Sequence, residues 1–407
     1  MIRDQIIIGV GSNWTAHPTS KHHVMRRLAE CNDVIWVNYH ASRRPRFNLI
    51  DLKLIAGRLL QAAGGAQRAE SRIKVLSPLL APLPEARWAR RLNAWLVARQ
   101  VKRALAALPP RDTQLWLFTP DAPELIDRIK PRRVIYYCVD DFAGFSGFNP
   151  ELMTRLEQQT CAAADVVLAT AERLHDKCRR LNANCQLLPH GVDFEHFAAA
   201  ADLGMQHVPA DVRDIPKPIF GYFGLISDYV DLDLLAAAAR RRPDWSFVLL
   251  GDCCCDVSIL SRLYNVHLLG GKPYEDLPRY CRAFDVGLIP FRMNRLTRAV
   301  NPIKLREYLA AGLPVVSAPM PEVLRYAPVV QTAVTVDEFI AACATSLAAA
   351  RDGDAAARRA LVREESWRAR VDTIARLLAD LDVEDRKENP ADQPRPSQSR
   401  KSIKAMA

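Results

Sequence analysis

The chain reads as an α/β protein made of two Rossmann-like, doubly wound domains that face each other across a cleft. Three observations predict this. Short apolar runs alternate with helical stretches along both halves of the sequence, the signature of parallel sheets covered on both faces. A connection containing Pro209, Pro216 and Pro218 separates the two series. The length, 407 residues, suits two domains at about 150 residues each with some excess.

The first series opens with Gln5–Ser12, a buried strand running into a glycine-containing loop, followed by a helix from His22 to Cys31 and a strand at Val34–Val37. Further strands are predicted at Ile73–Leu76, Gln114–Phe118, Val134–Cys138, Val166–Ala169 and Cys185–Leu188. The second series places strands at Ile219–Phe223, Ser246–Leu250, Val266–Leu269, Val286–Pro290 and Pro314–Ser317. Helices are expected near Asp231–Arg241, over Tyr274–Cys281 and from Pro302. These patterns divide the chain into domains at 1–195 and 196–365, a C-terminal helix at 366–383, and a tail at 384–407. The tail is rich in Pro, Ser and charge and is expected to be disordered.

Composition narrows the function. Hydrophobic residues at 49% and charged residues at 25% are enough for a proper core. No apolar run approaches the roughly 18 residues of a membrane span, and Arg3 and Asp4 stand where a signal peptide would be apolar, so a cytoplasmic protein is expected. Ten cysteines lack the paired spacing of a zinc site, and the adjacent Cys253, Cys254 and Cys255 cannot all face one ion in an extended chain. The net charge of +10 is uneven: residues 1–135 hold 23 Lys or Arg against 10 Asp or Glu, which points to an anionic partner for the first third. Within it, Pro84–Leu108 spaces Trp88, Leu92, Trp95, Leu96 and Arg99 helically, with Arg87, Arg90, Arg91, Lys102 and Arg103 nearby. Such a helix either lies at an anionic membrane surface or packs conventionally with a solvated basic face.

The most informative stretch runs from Asn301 to Ser317. Pro302 suits the first position of a helix, and Lys304 in the first turn opposes the helix dipole unless an anion sits there. Glu307, three residues on, shares its face, and one carboxylate can accept from two sugar hydroxyls. Gly312 ends the helix before a short buried strand.

Preceded by an apolar strand ending Ile289-Pro290-Phe291, this arrangement resembles the donor-binding segment of glycosyltransferases with the GT-B fold, particularly those of family 4. The resemblance implies that Glu307 binds the ribose of a nucleotide sugar and that the helix start at Pro302, Ile303 and Lys304 receives its diphosphate. It departs at Ala299, where the family usually has a second Glu that touches the transferred sugar. It also implies a glycine loop at Gly221–Ser227, with Gly224 near a phosphate or sugar; the basic pair usual there is missing, which leaves Lys304, Arg292, Arg295 or Arg298 to compensate. Gly270–Leu277, with Lys272, resembles the loop touching the base or ribose.

On the first domain, Gly11 and Ser12 lie in the loop that the resemblance sets near the diphosphate or acceptor, with His22 early in the next helix, there either to bind acceptor phosphate or as a part-exposed surface residue. Asp140 and Asp141 follow a strand aimed at the cleft, so either is a candidate base for an acceptor hydroxyl; the alternative is a turn cap. Pro189-His190-Gly191-Val192-Asp193 resembles the family segment ahead of the interdomain connection, with His190 facing the cleft or holding a turn, and with Gly191 as a hinge.

The expected activity is transfer of a sugar from a nucleotide diphosphate to an acceptor hydroxyl, in exopolysaccharide or cell-surface glycan assembly. No cofactor and no metal are expected, because no Asp-x-Asp cluster accompanies the phosphate site. The acceptor is expected to be a glycan or lipid-linked sugar, met at the inner face of the cell membrane. An epimerase on the same fold is the rival enzyme. A nucleic-acid-binding protein, suggested by the pI of about 9.2, lacks any recognised module. Retention or inversion of the anomeric centre stays open.

Overall fold

The computed structural model describes residues 2–39, 67–351 and 353–388. Two sheets organise them. The first comprises β1 (Ile6–Gly11), β2 (Asp33–Asn38), β3 (Gln67–Glu70), β4 (Ile73–Leu76), β5 (Thr113–Leu117), β6 (Arg133–Cys138), β7 (Val166–Ala169) and β8 (Cys185–Leu187), in the order β3-β4-β2-β1-β5-β6-β7-β8. Every pairing is parallel except β3 with β4, so the runs of Ile and Val are buried on both faces. The second sheet comprises β9 (Ile219–Phe223), β10 (Ser246–Leu250), β11 (Val266–Gly270), β12 (Val286–Ile289), β13 (Val315–Ser317) and β14 (Val330–Thr332). Its order, β11-β10-β9-β12-β13-β14, is that of a doubly wound dinucleotide-binding sheet, parallel throughout.

Two expected features take a different form. The polar strand β3 and the three-residue β14 were not predicted; both are edge strands with little apolar signal. The terminal helix runs from Trp367 to Glu388, past the predicted onset of the tail at 384, and the remainder of that tail lies outside the described residues.

Between the sheets the chain crosses twice. From Val192 onward, Phe194 and Phe197 pack into the second core. The return crossing lies beside the first: Val192 N donates to Glu365 O (2.9 Å) and Trp367 N to Val192 O (3.2 Å). Trp367, Val371, Ile374 and Leu378 of the terminal helix then join the first domain's core. Gly191 serves this close approach, because a Cβ there would lie 2.8 Å from Trp367 N, and it has no positive φ. The expected hinge angle is therefore not what demands glycine.

Helix α1 (Ser20–Ala29) follows β1, and helix α2 (Arg87–Leu105) connects β4 to β5. The inward face of α2 is made of Ala89, Ala94, Val97, Ala98, Val101 and Ala104, while Trp88, Leu92 and Trp95 stay outside. Arg90 is the exception among its cations, buried on Glu124 at 2.9 Å.

Candidate active site

In the second sheet the winding reverses between β9 and β12, so the loops leaving these strands part and open a crevice at their carboxyl ends. The equivalent loops of the first sheet close over it, and the two sets enclose a cavity of about 970 Å³. That is ample for a nucleotide sugar and part of an acceptor.

Helix α3 (Ile303–Ala310) starts on the cavity wall. Pro302 has an extended ψ of 115° and caps the helix, one position before its first residue Ile303, where the sequence pattern places Pro302 itself as the first helical residue. Its missing N–H still costs nothing there. Lys304 Nζ donates to Tyr222 Oη at 3.2 Å and lies 4.5 and 4.8 Å from the Tyr222 and Phe291 ring centres. It makes no ion pair with Glu307 among the described residues, which removes the surface-pair reading of that spacing. Burial lowers the Lys304 pKa to about 8, opposed by Glu307. Burial likewise raises the Glu307 pKa to about 8, with Lys304 pulling it back. A half-buried cation and a buried acid that are not paired with each other both border the cavity, where a ligand can meet them.

Two glycines make room above the ammonium. Gly224 has φ +126°, and a Cβ on it would come within 2.9 Å of Lys304 Nζ. Gly251 (φ +158°) sits so tightly against this loop that its Cβ would lie 1.9 Å from the Gly224 carbonyl oxygen. Gly251→Ala is therefore expected to lose at least about 2 kcal/mol of stability, read as a lower urea midpoint; an unchanged midpoint would show that the loops are looser than described.

Across the cavity, Ser12, His17, Lys21 and Asp140 come from the first domain. Lys21 Nζ donates to Thr19 Oγ1 at 2.9 Å. Burial raises the Asp140 pKa to about 7, with Lys21 opposing and Asp141 adding to the rise. His190 also lines the cavity; it is 5% exposed, its Nδ1 has no partner, and burial lowers its pKa to about 3. The Tyr274 hydroxyl is another buried group without a hydrogen-bond partner, next to the Glu307 carboxylate in the same cavity.

Several expected site residues lie elsewhere. Asp141 does not face the cavity: Arg295 Nε at 2.7 Å and Lys177 Nζ at 3.2 Å both hold it, and these cations keep its pKa low despite burial. It ties the two domains together and cannot act as a free base. His22 is fully buried between Trp14 and Trp36, with Nδ1 accepting from Thr19 N at 3.0 Å, so it is neither exposed nor in reach of an acceptor. Gly11 ends β1 against the Trp36 ring, where a Cβ would come within 2.9 Å. Lys272 reaches the cavity but is held by Asp211 at 2.7 Å. Arg292 is held by Asp233 and Arg295 by Asp141, and Arg298 is exposed and off the cavity wall, which leaves Lys304 beside the glycine loop. Ala299 is buried with the first domain's core.

Sequence reasoning missed His17, Lys21 and Tyr274 as site residues. Tyr274 stood inside a stretch already singled out, and His17 and Lys21 fell between two such stretches, and only the fold shows which side chains turn inward. A buried trio, Cys138, Glu157 and Cys178, brings three ligand-type atoms within 4.8 Å. Glu157 is already occupied by Lys177 (2.7 and 2.9 Å) and Tyr136 (3.1 Å), so the trio reads as a structural network behind Asp141.

Two doubly wound domains enclosing a cavity, with a lysine and a glutamate on one helix start, define the fold class, GT-B. Comparison with known proteins agrees. Residues 217–350 match the family Glycosyl transferases group 1. Over 276 residues, 62% of this chain and 68% of the relative, the sequence is 29% identical to the provisionally named teichuronic acid biosynthesis glycosyltransferase TuaH of Bacillus subtilis (strain 168). The fold is similar to sucrose-phosphate synthase from Thermosynechococcus elongatus (TM-score 0.68, 15% identity, 93% of this chain and 100% of that one). It is also similar to Anabaena HepE solved with UDP and glucose (TM-score 0.64, 15% identity, 92% and 99%). None of these supports the epimerase reading.

Proposed function

We propose that the chain transfers a sugar from a nucleoside-diphosphate donor to a glycan or lipid-linked acceptor in surface-polysaccharide assembly, working at the inner face of the cell membrane. One observation carries this: Lys304 and Glu307, unpaired with each other, line the same cavity as Asp140 of the other domain. In this reading the first N–H groups of α3 and the Lys304 ammonium hold the diphosphate, and Glu307 accepts from the ribose hydroxyls. The UDP complexes of Anabaena HepE and the surface-polymer role in the name of TuaH support the substrate classes. The Lys304 charge and the helix amides neutralise the leaving diphosphate without a metal ion.

Transfer forms a bond from the acceptor oxygen to the anomeric carbon and breaks the bond from that carbon to the diphosphate. Asp140 is placed to take the acceptor proton, and a pKa near 7 lets it do so at neutral pH. His190 and Tyr274 offer further polar contacts to the bound sugar. The domains exclude the water that would hydrolyse the donor.

The test is an assay for nucleoside diphosphate release with and without an acceptor fraction. Transfer requires acceptor for release, whereas an epimerase converts the donor alone. Asp140→Asn is expected to reduce kcat by about 10²- to 10⁴-fold while leaving the thermal shift caused by UDP or GDP intact. A variant with parental kcat removes Asp140 from the mechanism.

A further inference from the structure

The face that α2 turns outward resembles the interior of a protein more than its surface. Trp88 is 61% exposed, Leu92 41% and Trp95 45%, and the loop before the helix adds Leu79 at 56% and Leu83 at 39%. These five stand close together, whereas the other exposed large hydrophobics among the described residues are scattered. Scattered apolar residues need no explanation, but a contiguous group does.

The helical repeat sharpens the pattern. At about 100° per residue, Trp88, Leu92, Trp95 and Arg99 fall in a stripe roughly 60° wide, with Arg91 and Lys102 along one flank and Arg103 along the other. Arg87, Arg91, Arg99, Lys102 and Arg103 are all exposed. The helix contains no acidic residue. The Arg99 guanidinium lies 5.5 Å from the Trp95 ring centre, a ready arrangement of a cation over an indole. The opposite face is filled by small residues and by Asn93, which clasps Ala81 through N–H and C=O (2.8 and 2.9 Å) and so fixes the Leu79–Leu83 loop beside the helix.

We propose that this face of α2, with Leu79 and Leu83, docks on an anionic lipid bilayer. Trp is the side chain best matched to the headgroup region, and the flanking cations supply attraction to lipid phosphate. Charge complementarity selects this occupant: a stripe of indoles fringed on both sides by positive charge fits a continuous negative sheet. The site is also well placed. Glu85, at the foot of α2, accepts from Asn149 Nδ2 (3.4 Å), next to Phe148, which with Phe142 and Phe145 forms an aromatic cluster on the cavity wall. Docking therefore brings the cavity mouth to the bilayer, where a lipid-linked acceptor enters past these rings.

The inference extends the proposed reaction by naming the surface on which it occurs, yet lipid binding is measured with no nucleotide present, so the two fail separately. The full chain is floated with vesicles of phosphatidylcholine alone or with about 30 mol % phosphatidylglycerol. Binding is expected only to the anionic vesicles and to fall as salt rises from about 0.1 to 0.5 M. Trp88→Ser with Trp95→Ser, and separately Arg91→Glu with Lys102→Glu, are each expected to lower the partition coefficient at least about tenfold, with the UDP or GDP thermal shift unchanged. These residues are exposed, so folding is preserved. Parental binding by both variants overturns the proposal, as does absence of binding to anionic vesicles. A dimer in sedimentation that the Trp variants dissociate would assign the face to a second copy of the chain instead.

Discussion

Lys304→Ala is expected to lower kcat/KM by about 10²- to 10³-fold, the size of effect seen when one preorganised donor to a developing anion is removed. The reasoning is electrostatic. Lys304 is half-buried, and its hydrogen-bond partner in the structure is the neutral Tyr222 hydroxyl. Removing it takes the positive charge away from the diphosphate site, and without that cation burial holds the Glu307 carboxyl still more firmly in its protonated form. The thermal shift produced by UDP or GDP should shrink accordingly; a ligand at one hundred times its Kd stabilises by about 2.7 kcal/mol, so the loss is easily read. Without ligand the variant should be no less stable than the parent, because a desolvated charge is removed. Steady-state kinetics and differential scanning fluorimetry check both halves, and unchanged kinetics would take the phosphate site away from α3.

The second large effect is acid lability. His22, His23 and His190 sit in the seam where α1, the interdomain crossing and the terminal helix meet, with His23 stacked on Trp367 at 5.0 Å. Burial, together with neighbouring cations, Lys21 and Arg26 for His22, Arg26 and Arg27 for His23, Arg306 and Arg370 for His190, lowers all three pKa values to about 3. The folded protein thus keeps these rings neutral, while the unfolded chain protonates them below about 6.5. The contribution of these rings is therefore complete above about pH 6.5 and falls as pH drops toward 3, by up to about 1.4 kcal/mol per unit for each ring. Asp140 and Glu307, whose pKa values are raised in the fold, take up protons over part of this range and offset some of the loss. In denaturant titrations from about pH 7.5 to 5, His23→Gln should reduce the loss of stability by up to about 1.4 kcal/mol per pH unit relative to the parent. A variant whose stability follows the parent's pH dependence would mean that this ring is already charged in the folded state.

Much of this was legible in the sequence, for definite reasons. The parallel strands are fully buried, so runs such as Ile6-Ile7-Ile8 and Ser246–Leu250 stand out as continuous apolar segments. Pro302, Lys304, Glu307 and Gly312 were readable because helix-start and helix-end chemistry is local. What could not be read depends on which way a side chain turns. Asp140 and Asp141 are adjacent and chemically identical, yet one faces the cavity and the other is held between Lys177 and Arg295, residues distant in sequence. Lys21 and His22 divide the same way, one at the cavity and one behind Trp14. The Trp pattern of α2 left open a membrane-facing stripe or a conventionally packed one, and it is Ala and Val on the opposite side that pack inward and leave the indoles outside.

A crystal structure with UDP or GDP bound tests the central claim most directly. The account predicts the diphosphate against the amides at Ile303 and Lys304, with Lys304 Nζ on a phosphate oxygen and the ribose hydroxyls within hydrogen-bond distance of Glu307. Nucleotide bound elsewhere in the protein, with this helix start untouched, would contradict it.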